Sequence, residues 1–217
     1  MDSGAKHHHQ ENAMSTMSLE VRPARRSEFD AVLSLSTEAF ADEAVLSWVV
    51  PDPAARRAHI RESFAGSLRA TVEAEELTIA VTSGGEAVAV SLWHDLDADH
   101  RAAMSSEPAE AIGSFDPVAR RMRAAATATA ARHPAGHHLF LSSMATRPEF
   151  RGWGAGAAML RFGIDRAKAI DVPIYLEAST PQNRRLYLRN GFTDHGSPLA
   201  LPADGPVLQP MWRSPGK

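Results

Sequence analysis

The run Arg147 to Gly156, reading Arg-Pro-Glu-Phe-Arg-Gly-Trp-Gly-Ala-Gly, is the stretch of this chain best suited to hold a ligand. Gly152, Gly154 and Gly156 omit the Cβ atoms that would keep a ligand away from the backbone. The run lies between an apolar segment, Leu139 to Thr146, and a helix-like segment, Ala157 to Ile170. It therefore reads as a strand-to-helix turn, where the first N–H groups of the helix lack intrahelical partners. Such amides, reinforced by the helix dipole, favour a phosphate, and Arg151 and Arg147 add positive charge.

Two phosphate-ligand classes fit poorly. A nucleoside-triphosphate loop ends in Gly-Lys-Ser/Thr, whereas Gly156 is followed by Ala157 and Ala158. A dinucleotide turn needs Gly-x-Gly-x-x-Gly directly after its strand; here Met159 takes the third place, and Arg147 to Arg151 intervene. Glu177 does lie about twenty residues on, as that fingerprint wants, but two helices and a hairpin precede the turn instead of a βαβ start. Other chemistry is sparse. The chain has no cysteine, which excludes thiolate metal sites, disulfides and a cysteine-bound acyl group. His137 and His138 are adjacent on a strand and point to opposite faces, so no shared metal is expected.

The elements around the turn follow from periodicity. Leu19 to Arg22 alternates and ends at Pro23, a short first strand. A helix over about Ser27 to Phe40 is expected, with Ser27 and Asp30 spaced like a capping box. Ala41 to Val50 reads as a short packed helix or a binding wall, with packing favoured. Asp52-Pro53 opens a second long helix with Ile60, Phe64, Leu68 and Val72 at i+4 spacing. Leu77 to Thr82 and Ala87 to Trp93 flank Ser83-Gly84-Gly85, the signal of a hairpin. The insert Asp95 to Gly136 is charged and alanine-rich and carries a helix from Asp116-Pro117 to about Arg132, a cover with an open role as a lid. After the turn, Leu160, Ile164 and Ala167 share one helix face; Val172 to Ala178 is a fifth strand, and Asn183 to Asn190 a helix stopped by Gly191. Phe192 to Ala200 and Val207 to Arg213 read as two final strands, which their prolines assign to edge positions.

Arg151-x-x-Gly154-x-Gly156, preceded by Met144-Ala145-Thr146-Arg147-Pro148-Glu149, resembles the acyl-CoA-binding motif of the GCN5-related N-acetyltransferases (GNAT). Leu176-Glu177, Asn183, Leu186-Tyr187 and Gly191-Phe192 follow in that family's order. Pro181, the close Asn183 to Tyr187 spacing and the long insert look most like the puromycin N-acetyltransferase-like branch. The resemblance implies a fold of the α/β (α+β) class: a mixed, centrally splayed sheet of about six or seven strands flanked by helices, with a helical insert between strands three and four. It implies acetyl-CoA as co-substrate, with Gly152, Trp153, Gly154, Ala155 and Gly156 beside Arg151 at the pyrophosphate, and Met144, Ala145 and Thr146 along the amide-bearing arm. Asn183 would touch that arm, and the Trp153 indole would lie against the protein or the CoA edge.

The activity implied is N-acetylation of a small-molecule amine by direct attack on the thioester. Tyr187 matches the family's tyrosine beside the thiol, as a donor to the departing thiolate. Glu177, on the strand that splays away beside the acetyl group, is the first choice of general base. His94, Asp95 and a solvent chain anchored by Ser142 or Ser143 are the alternatives, while Tyr187 and Met144 would serve packing under a purely structural reading. A catalytically silent acyl-CoA-binding or regulatory module, or an enzyme acting on peptide or protein amines, is the alternative function.

Residues 1–16, with His7-His8-His9 in a polar run, read as a tag or disordered tail ahead of a single domain over residues 17–217. The formal net charge is −3, of which Asp2, Glu11 and Lys6 contribute −1, leaving −2 for the body. No basic footprint for nucleic acid is present, and no apolar run approaches the roughly 20 residues that cross a bilayer. The expected partner is a small amine, with a homodimer compatible, and the expected location cytoplasmic.

Overall fold

The chain alternates strands and helices so that one sheet divides two helical layers, as seen in a computed structural model describing residues 18–97 and 116–216. The tail over residues 1–16 and the insert's stretch 98–115 lie outside the described residues. Strand β1 (Leu19–Pro23) is followed by helices α1 (Phe29–Ala39), α2 (Ala44–Val49) and α3 (Pro53–Glu73) and by the hairpin β2 (Leu77–Thr82) and β3 (Ala87–Leu96). Then come α4 (Pro117–Ala130), β4 (His138–Thr146), α5 (Ala155–Ala169), β5 (Ile174–Ala178), α6 (Pro181–Arg189), β6 (Thr193–Asp194), β7 (Leu199–Ala200) and β8 (Val207–Arg213).

The eight-stranded sheet runs β1-β2-β3-β4-β5-β8-β6, with β7 also on β8. Every neighbouring pair is antiparallel except β4 and β5, which are parallel and joined through α5. Strand alternation separates the layers. Ile79 and Val81 pack with Val32, Leu35 and Ile60 of α1 and α3, whereas Ala80 packs with Ala155 and Met159 of α5. On β5, Ile174, Leu176 and Ala178 join Leu160, Ile164 and Tyr187 under α5 and α6. Tyr175 points the other way, into a cluster with Leu96, Phe140 and Trp212.

The expected helices and hairpin are present, with four differences. Before α1 a 3-10 turn, Arg26–Glu28, takes the place of the expected Ser27/Asp30 capping box, and the Glu28 carboxylate caps that turn by accepting from the Arg25 N–H at 2.8 Å. Helix α6 begins at Pro181, because the Thr180 hydroxyl accepts from Asn183 N–H at 3.1 Å and proline suits the first helical position. The single strand expected over Phe192 to Ala200 is split by Gly196, at φ +76°, into β6 and β7. The edge position expected for both final strands holds for β6 and β7 but not for β8, which is interior; there Pro210, lacking an N–H, uses its carbonyl to accept from His195 N–H at 2.8 Å. The described part of the insert carries the expected helix, α4. Arg121 of α4 donates to the Trp48 carbonyl at 2.9 Å and lies over its indole, fixing α4 to α2. Among the described residues no helix is long and apolar enough to cross a membrane.

Candidate active site

The site is built from a mismatch of strand lengths. β3 follows β4 to its end, through the pair Ala89 and Thr146, but β5 follows it only through Leu139–Ile174, Phe140–Tyr175 and Leu141–Leu176. From Ser142 to Thr146 the β5-facing edge of β4 is therefore unpaired by sheet, and its backbone groups need partners. A cleft of about 660 Å³ opens there, walled by Met144, Ala145 and Thr146 on one side and Ser179, Thr180 and Asn183 on the other.

The glycine turn forms the end of the cleft. Gly152 and Gly154 adopt φ of +84° and +89°, the left-handed region, where a side chain would be strained. A Cβ on either would meet nothing within 4 Å, so conformation, not crowding, requires glycine. Gly154 is the residue before α5, whose first amides face the cleft at Ala155, Gly156 and Ala157. At Gly156 the reason differs: a Cβ would lie 3.1 Å from Leu186 Cδ2, so its absence lets α5 and α6 approach.

The fourth wall is Asp42, Glu43 and Ala44, between α1 and α2. Asp42 reaches across to Arg151 in a forked pair, with Nη1 and Nη2 donating at 2.5 and 2.7 Å. The guanidinium hydrogen bonds hold the Asp42 carboxyl below its usual range, and the carboxylate raises the Arg151 value in return. Glu43 caps α2 by accepting from Leu46 N–H at 2.9 Å.

A model described as the acetyltransferase (GNAT) family matches residues 89–192, the span from the hairpin to Phe192. A solved structure from Corynebacterium glutamicum, described as histone acetyltransferase HPA2 and related acetyltransferase, is 30% identical to the chain, covering 93% of it and 98% of that protein, with a TM-score of 0.66. The chain belongs to the GNAT acetyltransferases. The fold of this GNAT protein is shared by a Drosophila melanogaster polyamine N-acetyltransferase (16% identity, 91% and 100% coverage, TM-score 0.66). It is shared too by the PaiA N-acetyltransferase of Thermoplasma acidophilum, solved in complex with coenzyme A (11% identity, 91% and 99% coverage, TM-score 0.58).

In this GNAT chain the cleft gathers Met144, Ala145, Thr146, Arg151, Gly152, Gly154, Ala155, Gly156 and Asn183, all expected from sequence. Three expected residues stand apart. Trp153, between the two left-handed glycines, is 49% exposed and outside the cleft lining. Tyr187 is buried in the core, its ring 5.8 Å from that of Phe192, as the packing alternative required. Its hydroxyl nevertheless senses the cleft wall: burial raises its pKa and the Glu43 charge raises it further.

Glu177 lies one position beyond the last β4–β5 pair and shares the face of Tyr175, away from α5 and α6. Its side chain is 8% exposed, and His133 Nε2 stands 4.0 Å from Oε1. Burial pushes its pKa up to about 7, partly offset by the Tyr175 hydroxyl.

The remaining candidates are committed elsewhere. Arg147 pairs with Glu38 at 2.9 Å and Glu86 at 2.8 Å. His94 meets Glu76 at 3.1 Å, and Asp95 meets His137 at 2.5 Å while His138 turns into the core beside Tyr175 and Trp212. Asp42 and Glu43 lie in the segment read from sequence as a binding wall or, by preference, a short packed helix; they line the cleft, and the pairing of Asp42 with Arg151 had no local signal.

Proposed function

We propose that this protein is an acetyl-CoA-dependent N-acetyltransferase, one domain over residues 17–217, that acetylates the amine of a small molecule by direct attack in a ternary complex. The observation that carries this reading is the meeting, in one cleft, of a free β4 edge with a glycine turn at a helix N terminus. The fit to acetyl-CoA is chemical. Amides of Gly152 to Gly156 and the α5 dipole suit a pyrophosphate, and the unpaired backbone of Met144 to Thr146 suits an arm bearing amides. The co-substrate supplies an acyl group already activated as a thioester.

Two tasks fall to the chain's own side chains. An alkylamine, with pKa about 10.4, must lose a proton before it attacks, and Glu177 is the buried carboxylate nearest the splay to take it. Glu177 faces the side of the sheet where His133 packs on Phe140 and Tyr175, so the amine would approach from there, opposite α5. Tyr187, held protonated by burial, would donate a hydrogen bond toward the departing sulfur. A thiol is the stronger acid of the two, so the phenol stabilises the thiolate without surrendering its proton. Tyr187→Phe is expected to lower kcat about tenfold or more, the worth of one hydrogen bond to a charged group, with the thermal midpoint unchanged because the ring stays packed. A wild-type kcat would return Tyr187 to packing alone.

Arg151 must exchange Asp42 for the pyrophosphate. An exposed pair is worth ~0.2–1 kcal/mol, so Asp42→Asn is expected to tighten acetyl-CoA binding by up to about fivefold, read by calorimetry. Weaker binding would mean that Asp42 orients Arg151 for the ligand.

Structural neighbours described as polyamine, agmatine and arylalkylamine N-acetyltransferases support a small basic amine as acceptor. Pro181 and the Asn183 to Tyr187 spacing keep the puromycin N-acetyltransferase-like branch as the nearest pattern within the family. The Corynebacterium glutamicum relative's description favours a second reading, a protein amine as acceptor. Free thiol released from acetyl-CoA on adding 1,4-diaminobutane, phenylethylamine or a lysine-containing peptide tests both. Thiol release with the peptide alone selects the second, and none with any amine removes the enzyme.

A further inference from the structure

We propose that His133, carried on the turn after α4, is a positioning residue for Glu177, and that the two form a paired exit for the proton removed from the acceptor amine. The inference rests on the reading of Glu177 as the base. Its ground is a convergence that the fold need not make. Glu177 Oε1 and His133 Nε2 approach to 4.0 Å with side chains only 8% and 17% exposed. They come from a strand and from the end of the insert, with nothing local in the sequence to join them.

The imidazole is held in place by aromatic walls. Its centroid lies 4.4 Å from Phe140 in an edge-on contact, 5.0 Å from Tyr175 and 5.8 Å from His138. Rings at these spacings fix orientation as well as position. Burying a carboxylate and an imidazole separately would cost a desolvation penalty twice; side by side, they share one charge or one proton. Among the described residues, the other titratable or charged groups around the pair are Tyr175 of β5, His138 at the start of β4, His195 beyond β6 and Arg132 beside His133.

The proton count closes. The ammonium loses its first proton to a Glu177 oxygen, and the lone pair so freed forms the new C–N bond; the C–S bond then breaks with its electrons staying on sulfur, and the second nitrogen proton goes to that thiolate, so one proton per turnover is left on Glu177 with an alkylamine and none with an amine that arrives unprotonated. The Glu177 proton passes to the His133 imidazole, the more exposed of the two side chains, and leaves when the imidazolium releases it, which regenerates the carboxylate. Without that exit the buried carboxyl would stay protonated after one turnover. A neighbouring imidazole also favours the ionised carboxylate whenever it carries charge.

The full-length protein and its His133→Gln and His133→Asn variants are compared with Glu177→Gln by two measurements. The first is the pH titration of the His133 ring nitrogens by 15N-correlated NMR: the inflection should move down by about one pH unit in Glu177→Gln, where the carboxylate partner is gone. The second is thiol release with 1,4-diaminobutane and, separately, with aniline, which is unprotonated at neutral pH. With the diamine, His133→Gln and His133→Asn should both lose about tenfold in kcat and shift the acidic limb of the pH profile upward, with acetyl-CoA affinity unchanged. With aniline the loss should vanish. A purely structural role would depress both amines alike, and that result, or an unmoved His133 inflection, overturns the pair. A wild-type rate in Glu177→Gln, with the inflection still moved, removes the base instead and leaves the pairing intact.

Discussion

Glu177→Gln is expected to cost about 10² or more in kcat while making the protein more stable at pH 8 than the parent. The two effects share one cause. Burial holds the folded-state pKa near 7, against an ordinary carboxyl value of about 4.3. The native state therefore keeps a proton that the unfolded chain has released over that interval, and stability falls as pH rises from the unfolded value through about 7. Above it the protein bears the whole cost of a buried charge, ~4 kcal/mol at about 1.4 kcal/mol per pKa unit. Glutamine keeps the shape and never ionises. Its advantage should be near zero at pH 4 and several degrees in thermal midpoint at pH 8, read by parallel melting curves. Activity runs the opposite way, because only the ionised carboxylate accepts a proton: kcat/KM of the parent should climb through about pH 7, and the variant should lose that limb. A melting advantage of the same size at both pH values would show that Glu177 is not the buried ionising group described.

Gly163→Ala is expected to destabilise the protein through an overpacking cost of about 3 kcal/mol, the upper part of the usual range. The added methyl would lie 2.2 Å from two carbons of the Trp93 ring, far inside contact distance. Trp93 cannot yield cheaply. It is fully buried, and its indole N–H donates to the Ser91 hydroxyl at 2.8 Å, so turning the ring breaks that bond and opens the core beneath α5. Alanine's better helix propensity returns only about 1 kcal/mol. For a chain of this size the net loss of about 2 kcal/mol lowers the thermal midpoint by roughly 4–8 °C. Combining it with Trp93→Leu should recover part of the loss, because the two substitutions share one contact. An unchanged midpoint for the single variant would show that α5 moves outward freely.

Sequence made the local parts of the site legible. Left-handed glycines, the helix that follows them and the alternation that turns Glu177 away from Leu176 are all set within a few residues. What escaped was contact between distant segments. Asp42 and Arg151 are 109 positions apart, and nothing near either names the other. His133 sits in an alanine-rich insert whose composition suggested only a cover, and its position beside Glu177 depends on α4 being fixed to α2 through Arg121 and Trp48. The burial of Tyr187 was visible as an alternative but not decidable, since a helical tyrosine next to an apolar run fits both a core and a cleft. The split of the last strand turned on one residue, Gly196, whose backbone angle periodicity does not report.

The short parallel junction between β4 and β5 also has a mechanical consequence. β1 through β4 and β5 through β8 are each knit by antiparallel pairing, while across the middle the sheet is sewn by the Leu139, Phe140 and Leu141 pairs alone. That is the seam along which the molecule should part first under tension or heat. A ligand laid along Met144 to Thr146 would lengthen the stitching and act as a clasp between the two halves.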